Sequence, residues 1–313
     1  MYKNIDRQAV AAMTMLCLVW SMQQIGLKAT AHDASPILQI ALRSGIAAVL
    51  VGIFMLYRRE KLILASLPWR AGLGAGLLFA LEYLLLGTGL RWTSATHGVV
   101  FLYTAPLFAA VGLHVSLRSE RLTSLQWLGI MLAFAGVAIT FFTPADGHQG
   151  QHAADATSLF GDVLCLLSGA AWGATTVLVR CSGLAKVSAS QTTIFQLAVA
   201  FVVLLGFAVC TGQTTFNVTP LLMANLLFQS VIVSFLSLLL WFALLRRYLA
   251  SGLGAFSFIT PMLGVVLGAW LLNEKINPGF LAGALFVVAG IICVSCHAWL
   301  APRLALIRHI TRR

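Results

Sequence analysis

Ten apolar runs follow one another along the chain, at about 9–28, 37–57, 71–90, 97–117, 125–142, 159–179, 192–210, 221–245, 253–272 and 280–300. A helix needs roughly 20 such residues to cross a hydrocarbon core. Only helices and closed barrels satisfy their backbone hydrogen bonds in lipid, and runs that are continuous instead of alternating rule out the barrel. The expected fold is an all-α membrane protein of ten transmembrane helices joined by very short loops. Of the 313 residues, 60% are hydrophobic and only 9% charged, too few polar groups to cover a water-facing surface. The first run lacks a small-residue cleavage site and is followed by the same pattern again, so it reads as a retained span and not a signal peptide.

The net charge of +11 would raise nucleic-acid binding in a soluble protein. Here the basic residues are dotted between apolar runs, where they anchor the chain at lipid headgroups, so nucleic acid is not an expected partner. With the N-terminus inside, the cytoplasmic segments hold Lys3, Arg7, Arg58, Arg59, Lys61, Arg70, Arg118, Arg121, Arg180, Lys186, Arg246, Arg247, Arg303, Arg308, Arg312 and Arg313. The opposite segments hold only Lys28, Arg91 and Lys275. This imbalance predicts cytoplasmic N- and C-termini and an even number of spans. Cys17, Cys165, Cys210, Cys293 and Cys296 lie inside apolar runs and Cys181 at the end of one, so no disulfide framework is implied.

An internal repeat organises the spans. Ala95, Pro106, Glu120, Gly129 and Gly136 in the first half correspond to Ala250, Pro261, Glu274, Gly283 and Gly290 in the second, at an offset of 155 to the prolines and 154 from the glutamates on. Trp20 and Lys28 likewise correspond to Trp172 and Arg180 at an offset of 152. Each half therefore carries five spans. Five is odd, so the second half enters the membrane from the opposite side, and the two five-helix repeats are inverted. Such repeats suit alternating access to a site at mid-membrane. The expected division is a first repeat over 1–142, an outer loop over 143–158, a second repeat over 159–300 and a basic cytoplasmic tail over 301–313. Pro106 and Pro261 fall in mid-span and predict helix kinks, serving either packing or a freed carbonyl at the site. The paired glycines, seven residues apart, are packing positions.

Several stretches together resemble the EamA branch of the drug/metabolite transporter superfamily. They are LVWSMQQIGLK, AAWGATTVLVR, GLRWTSATHGVVFLYTAPLF, LRSERLTSLQWLGIMLAFAGV and the latter's second copy, LLNEKINPGFLAGALFVVAGI. The resemblance spans both halves. It implies a ten-helix carrier of the inner membrane with a central substrate cavity and helices five and ten held outside it. Relatives of this kind export amino acids or other small metabolites, and others move drugs.

Ionisable groups inside a membrane are costly and usually face a cavity or a partner. Glu82 in the third run is thus a candidate for proton coupling or for holding an ammonium, or a structural partner of Arg43. Arg43 and Gln39 lie one helical turn apart, placed either to grip a carboxylate or to tie helices together. His97 at the start of the fourth run is a titratable candidate or a packed histidine. Trp20, Gln24 and Tyr103 from the first half, with Trp172, Gln229 and Phe258 from the second, offer aromatic faces and amides to an amphipathic solute. The second half offers no matching acid inside a span.

His148, His152, Asp146 and Asp155 lie in the loop PADGHQGQHAADATS, which reads as a solvated linker and not a metal site. No metal or cofactor is expected. No phosphate-binding loop is present, which excludes ATP-driven transport by this chain, and no nucleophile-and-base constellation suggests an enzyme. The expected function is a secondary exporter of amino acids or related metabolites, with protons as coupling ion through Glu82. The alternative is efflux of hydrophobic cations. The expected partners are a small-molecule substrate and the bilayer, with the protein a monomer or weak homodimer.

Overall fold

Helices begin where a small polar residue meets an apolar run, because its side chain satisfies an amide that the first turn leaves open. Helix α1 (Arg7–Ala29) starts at Asp6, whose carboxylate accepts from the Ala9 amide. Helix α2 (Pro36–Tyr57) starts at Ser35, with Pro36 in the first turn where its missing N–H costs nothing. Ser94 caps α4 (Ala95–Ser116), and Ser188 caps α7 (Ala189–Cys210) in the same way. Thr219, followed by Pro220, opens α8, which spans 220–247. The remaining helices are α3 (Trp69–Gly89), α5 (Ser124–Phe141), α6 (His152–Cys181), α9 (Ile259–Leu271) and α10 (Pro278–Gly290). Helix α7 ends at Thr211, where Gly212 adopts a φ of 68° that a side chain would resist.

This computed structural model describes residues 6–60, 69–117, 122–141, 152–248, 257, 259–273, 278–290 and 292–293. Among them there is no strand, only one bridge between Ala34 and Phe216. One apolar helix falls in each of the ten expected runs. Seven are long and apolar enough to cross a membrane, and three, Ser124–Ile139, Ile259–Leu271 and Pro278–Gly290, are shorter. Each of those three adjoins residues outside the described set.

Two local features depart from a row of uniform helices. Helix α4 is interrupted at Tyr103 and Thr104, and its second part, Ala105–Ser116, carries Pro106 in its first turn. Proline cannot donate to the carbonyl four residues back, that of Leu102, so the ladder stops there; just before the break the Thr104 hydroxyl donates to the Phe101 carbonyl. The expected bend at Pro106 is thus a break with a fresh helix start. Pro261 sits in the first turn of α9, and most of the residues before it lie outside the described set. In α8, residues Phe228–Ser237 form a wide π stretch between α-helical ends. Helix α6 starts at His152, inside the segment read as an outer loop, because His-Ala-Ala-Asp-Ala is rich in good helix formers.

The helix contacts come in matched sets. Helix α3 packs on α6 and α7, while α8 packs on α1 and α2; α4 packs on α6, while α9 packs on α1; and α2 meets α7 as α4 meets α9. Exchanging α1 to α4 for α6 to α9 leaves this pattern unchanged. Helices α5 and α10 meet backbone to backbone. A Cβ added at Gly136 would fall 2.6 Å from the Gly283 carbonyl oxygen, and one at Gly290 would collide with the Gly129 carbonyl oxygen. The outward faces carry large apolar side chains such as Leu56, Val115, Met131, Val202 and Trp270, as a lipid-facing surface requires.

Candidate functional site

A guanidinium is the costliest side chain to place inside an apolar bundle. Arg43 on α2 is only 1% exposed, and three groups compensate it. Its Nη1 donates to Gln229 Oε1 on α8 at 2.5 Å. Its guanidinium carbon lies 4.5 Å from the centre of the Tyr83 ring on α3, close enough for cation–π attraction. Glu82, also on α3 and 3% exposed, lies within electrostatic reach. No direct ion pair joins Arg43 to Glu82 among the described residues.

Gln229 is itself held, because its Nε2 donates to the Gln23 carbonyl on α1 at 2.8 Å. The network continues toward the ends of α1 and α2. Asn225 Nδ2 donates to Thr30 Oγ1 at 3.1 Å and to Gln39 Oε1 at 3.0 Å, and Gln39 Nε2 donates to the carbonyls of Thr30 and Ala34. Gln39 therefore spends both ends of its amide on stapling α1, α2 and α8, not on a carboxylate grip shared with Arg43. Six buried side-chain polar atoms have no hydrogen-bond partner among the described residues: Arg43 Nε, Glu82 Oε2 and Gln24 Oε1, and besides these Thr193 Oγ1, Gln213 Oε1 and Thr260 Oγ1. Buried polar groups are nearly always paired, so such atoms are where a polar solute or water is expected to bind.

Two aromatic pairs join neighbouring helices. Trp20 on α1 donates from Nε1 to Ser237 Oγ at 2.9 Å and stands edge-on to Trp241, with ring centres 5.4 Å apart. Tyr103, at the break in α4, stands edge-on to Trp172 on α6 at 5.3 Å. Phe258 lies outside the described residues. A separate groove of about 770 Å³ between α4, α5 and α6 is lined by apolar groups such as Phe108, Trp127, Phe134 and Val177, and it lacks the polar groups that would read a solute.

His97 is not at this centre. Its Nδ1 lies 2.9 Å from Asp162 Oδ2 on α6, and its ring stacks on Phe280 of α10 with centres 4.3 Å apart. Asp162 overturns the expectation that the second half has no acid inside a span: it is buried within the candidate span Ser158–Cys181. An acid so near the start of an apolar run is tolerated because His97 and Thr93 solvate it. Sequence reasoning also missed Asn225 and Tyr83. The rule that singled out Glu82, an ionisable group inside an apolar run, would have found Asp162. Among the described residues no group of three His, Cys, Asp or Glu could hold a metal ion. His148 lies outside the described set.

A multi-pass helical membrane protein with a charged, hydrogen-bonded centre is the class this fold and site define. The chain belongs to the EamA-like transporter family, whose model matches residues 8–142 and 159–296. It is 25% identical over 280 residues to the uncharacterized transporter YoaV of Bacillus subtilis strain 168, covering 88% of this chain and 92% of the relative. Two further relatives are each named "probable amino-acid metabolite efflux pump". That of Salmonella typhimurium strain LT2 is 24% identical over 291 residues (88% and 91% covered), and that of Escherichia coli strain K12 is 23% identical over 293 (88% and 91%). A solved crystal structure with 17% identity superimposes with a TM-score of 0.68, covering 91% of this chain and 95% of that one, and shows the fold alone. The protein is a multi-pass protein of the inner membrane, as its bacterial relatives imply.

Proposed function

We propose that this protein is a secondary carrier that exports amino acids or related small metabolites. One observation carries the substrate class. A buried guanidinium and a buried carboxyl group, Arg43 and Glu82, stand on adjacent helices without a direct ion pair, and each keeps an unpartnered polar atom. A zwitterion supplies the missing partners, its carboxylate to Arg43 and its ammonium to Glu82. The printed names of the two efflux-pump relatives agree with this class.

The mechanism is alternating access between two inverted five-helix repeats, with both termini cytoplasmic. The matched helix contacts and the reciprocal crossing of α5 and α10 support it. Glu82 is the coupling acid, taking up a proton when the ammonium leaves. The chain acts as a carrier and catalyses no covalent step.

The test is counterflow of labelled solutes in liposomes holding the purified protein, with and without a proton gradient. Zwitterionic amino acids are expected to exchange, and acetylating their amine or amidating their carboxylate is expected to abolish exchange. Movement of lipophilic cations alone would instead make this a drug-efflux carrier. Glu82→Gln is expected to retain counterflow at reduced affinity, by about tenfold for the loss of about 1.4 kcal/mol, and to lose acceleration by the gradient. Unchanged gradient dependence in that variant would remove protons from Glu82.

A further inference from the structure

A second buried polar cluster lies apart from the Arg43 and Glu82 centre, where the 90–94 turn meets α6 around Phe160 to Asp162. His97 and Asp162 face each other there at 2.9 Å, with side chains 3% and 4% exposed. Thr93 donates to the other oxygen of Asp162 at 2.5 Å. Lys28 of α1 joins the cluster, and its Nζ donates at 2.6 Å to the carbonyls of Leu90 and Thr93. The cluster thus ties α1, the 90–94 turn and α4 of the first half to α6 of the second, while Phe280 of α10 closes over the imidazole.

We propose that His97 and Asp162 form a proton-binding site that clamps the two halves of the carrier together at this contact. The imidazole is the one side chain whose ordinary titration falls between about pH 5 and pH 8. A neutral His97 donates Nδ1–H to the carboxylate as one hydrogen bond. When Nε2 takes a proton the bond becomes an ion pair in a region with little water, where charge–charge attraction is strongest. Proton binding therefore favours the closed arrangement seen here, and release loosens α6 from the 90–94 turn.

The other titratable groups facing the pair are few. Lys28 comes from α1 and Cys165 from α6, one turn below Asp162. Arg91, on the turn itself, is exposed. The described parts of α9 and α10 carry no titratable residue. A proton on His97 therefore raises the net charge of the cluster by one, with Asp162 beside it as the acid that pairs the new charge. This device differs from Glu82, which meets the solute, since it acts on the opening of one end. It rests on the carrier reading, and the experiment below needs no solute.

The test places spin labels at the exposed positions Arg91→Cys and Leu159→Cys, in full-length protein whose own six cysteines are replaced, reconstituted in liposomes. Distances are measured by pulsed electron resonance at about pH 5.5 and about pH 8, either side of the ordinary imidazole range. A single short distance is expected at the lower pH, with a longer population at least about twofold more abundant at the higher pH. His97→Asn keeps an amide donor near the Nδ1 position and cannot titrate, so its distances are expected to be the same at both pH values. Asp162→Asn, which keeps an acceptor for Thr93, is the second variant and is expected to be equally insensitive. A pH shift that survives in either folded variant overturns the proposal. So does a native protein whose distances do not move with pH. Loss of exchange with the pH shift intact would instead count against the substrate reading and leave the clamp standing.

Discussion

Arg43→Leu is expected to abolish measurable exchange of amino acids, and Arg43→Gln to weaken carboxylate-bearing solutes by about thirtyfold or more. The magnitude follows from the cost of removing one partner of a buried, hydrogen-bonded charge pair, about 2–5 kcal/mol. Arg43 is the group to which α2, α3 and α8 all contribute, through its own backbone, the Tyr83 ring and the Gln229 amide. Leucine leaves Gln229 Oε1 and Glu82 buried without their cation. Amidated amino acids discriminate recognition from folding. If Arg43→Gln weakens acids and amides alike, the guanidinium holds helices together and does not read the carboxylate.

The largest effect on stability is expected at the crossing of α5 and α10. Gly136→Leu is expected to lower stability by about 1–3 kcal/mol or more, because no rotamer relieves a clash between a Cβ and backbone atoms. At Gly136 the first side-chain atom alone would sit 2.6 Å from both the Gly283 carbonyl oxygen and the Val287 amide nitrogen. Gly206→Leu is the internal control, since a Cβ there meets nothing within 4 Å. Its effect is expected to stay within about 0.5 kcal/mol. Thermal unfolding in detergent, followed by tryptophan fluorescence, gives both numbers. Equal midpoints for the two variants would mean that α5 and α10 are not held together by this contact.

How far the sequence could be read depended on the range of the interaction involved. Helix positions follow from apolar runs and local caps such as Ser35-Pro36 and Thr219-Pro220, which act within one turn, and the ten runs each hold an apolar helix. The break at Pro106 was legible for the same reason, although its form, a restart after Thr104, depended on how the chain satisfied one carbonyl. Glu82 and Arg43 stood out because lone charges in apolar runs must be compensated. Gln229 is among the candidate amides, but its pairing with Arg43, 186 residues away, has no local signal, and Tyr83 did not stand out at all. Gln39 shows the converse. Its spacing from Arg43 suggested a shared grip, but Thr30, Ala34 and Asn225 had already taken its amide. His97 and Asp162 are 65 residues apart, so their pairing was legible only as two separate buried titratable groups.

The helix contacts are matched between the halves while the polar centre is not: its guanidinium and its carboxyl group, Arg43 and Glu82, stand on α2 and α3, and the second half contributes amides, Asn225 and Gln229. For a carrier this lopsidedness has a thermodynamic consequence. The four species formed by loaded and empty protein open to either side make a closed cycle, and the free energies around it sum to zero. A centre that presents different chemistry to its two ends binds one solute with two affinities. Any ratio between them must reappear as a displacement of the resting equilibrium between the two empty forms relative to the loaded ones. A tenfold difference, about 1.4 kcal/mol, moves that equilibrium tenfold. The placement of both ionisable groups, Arg43 and Glu82, on one half thereby helps to set which way the empty protein waits.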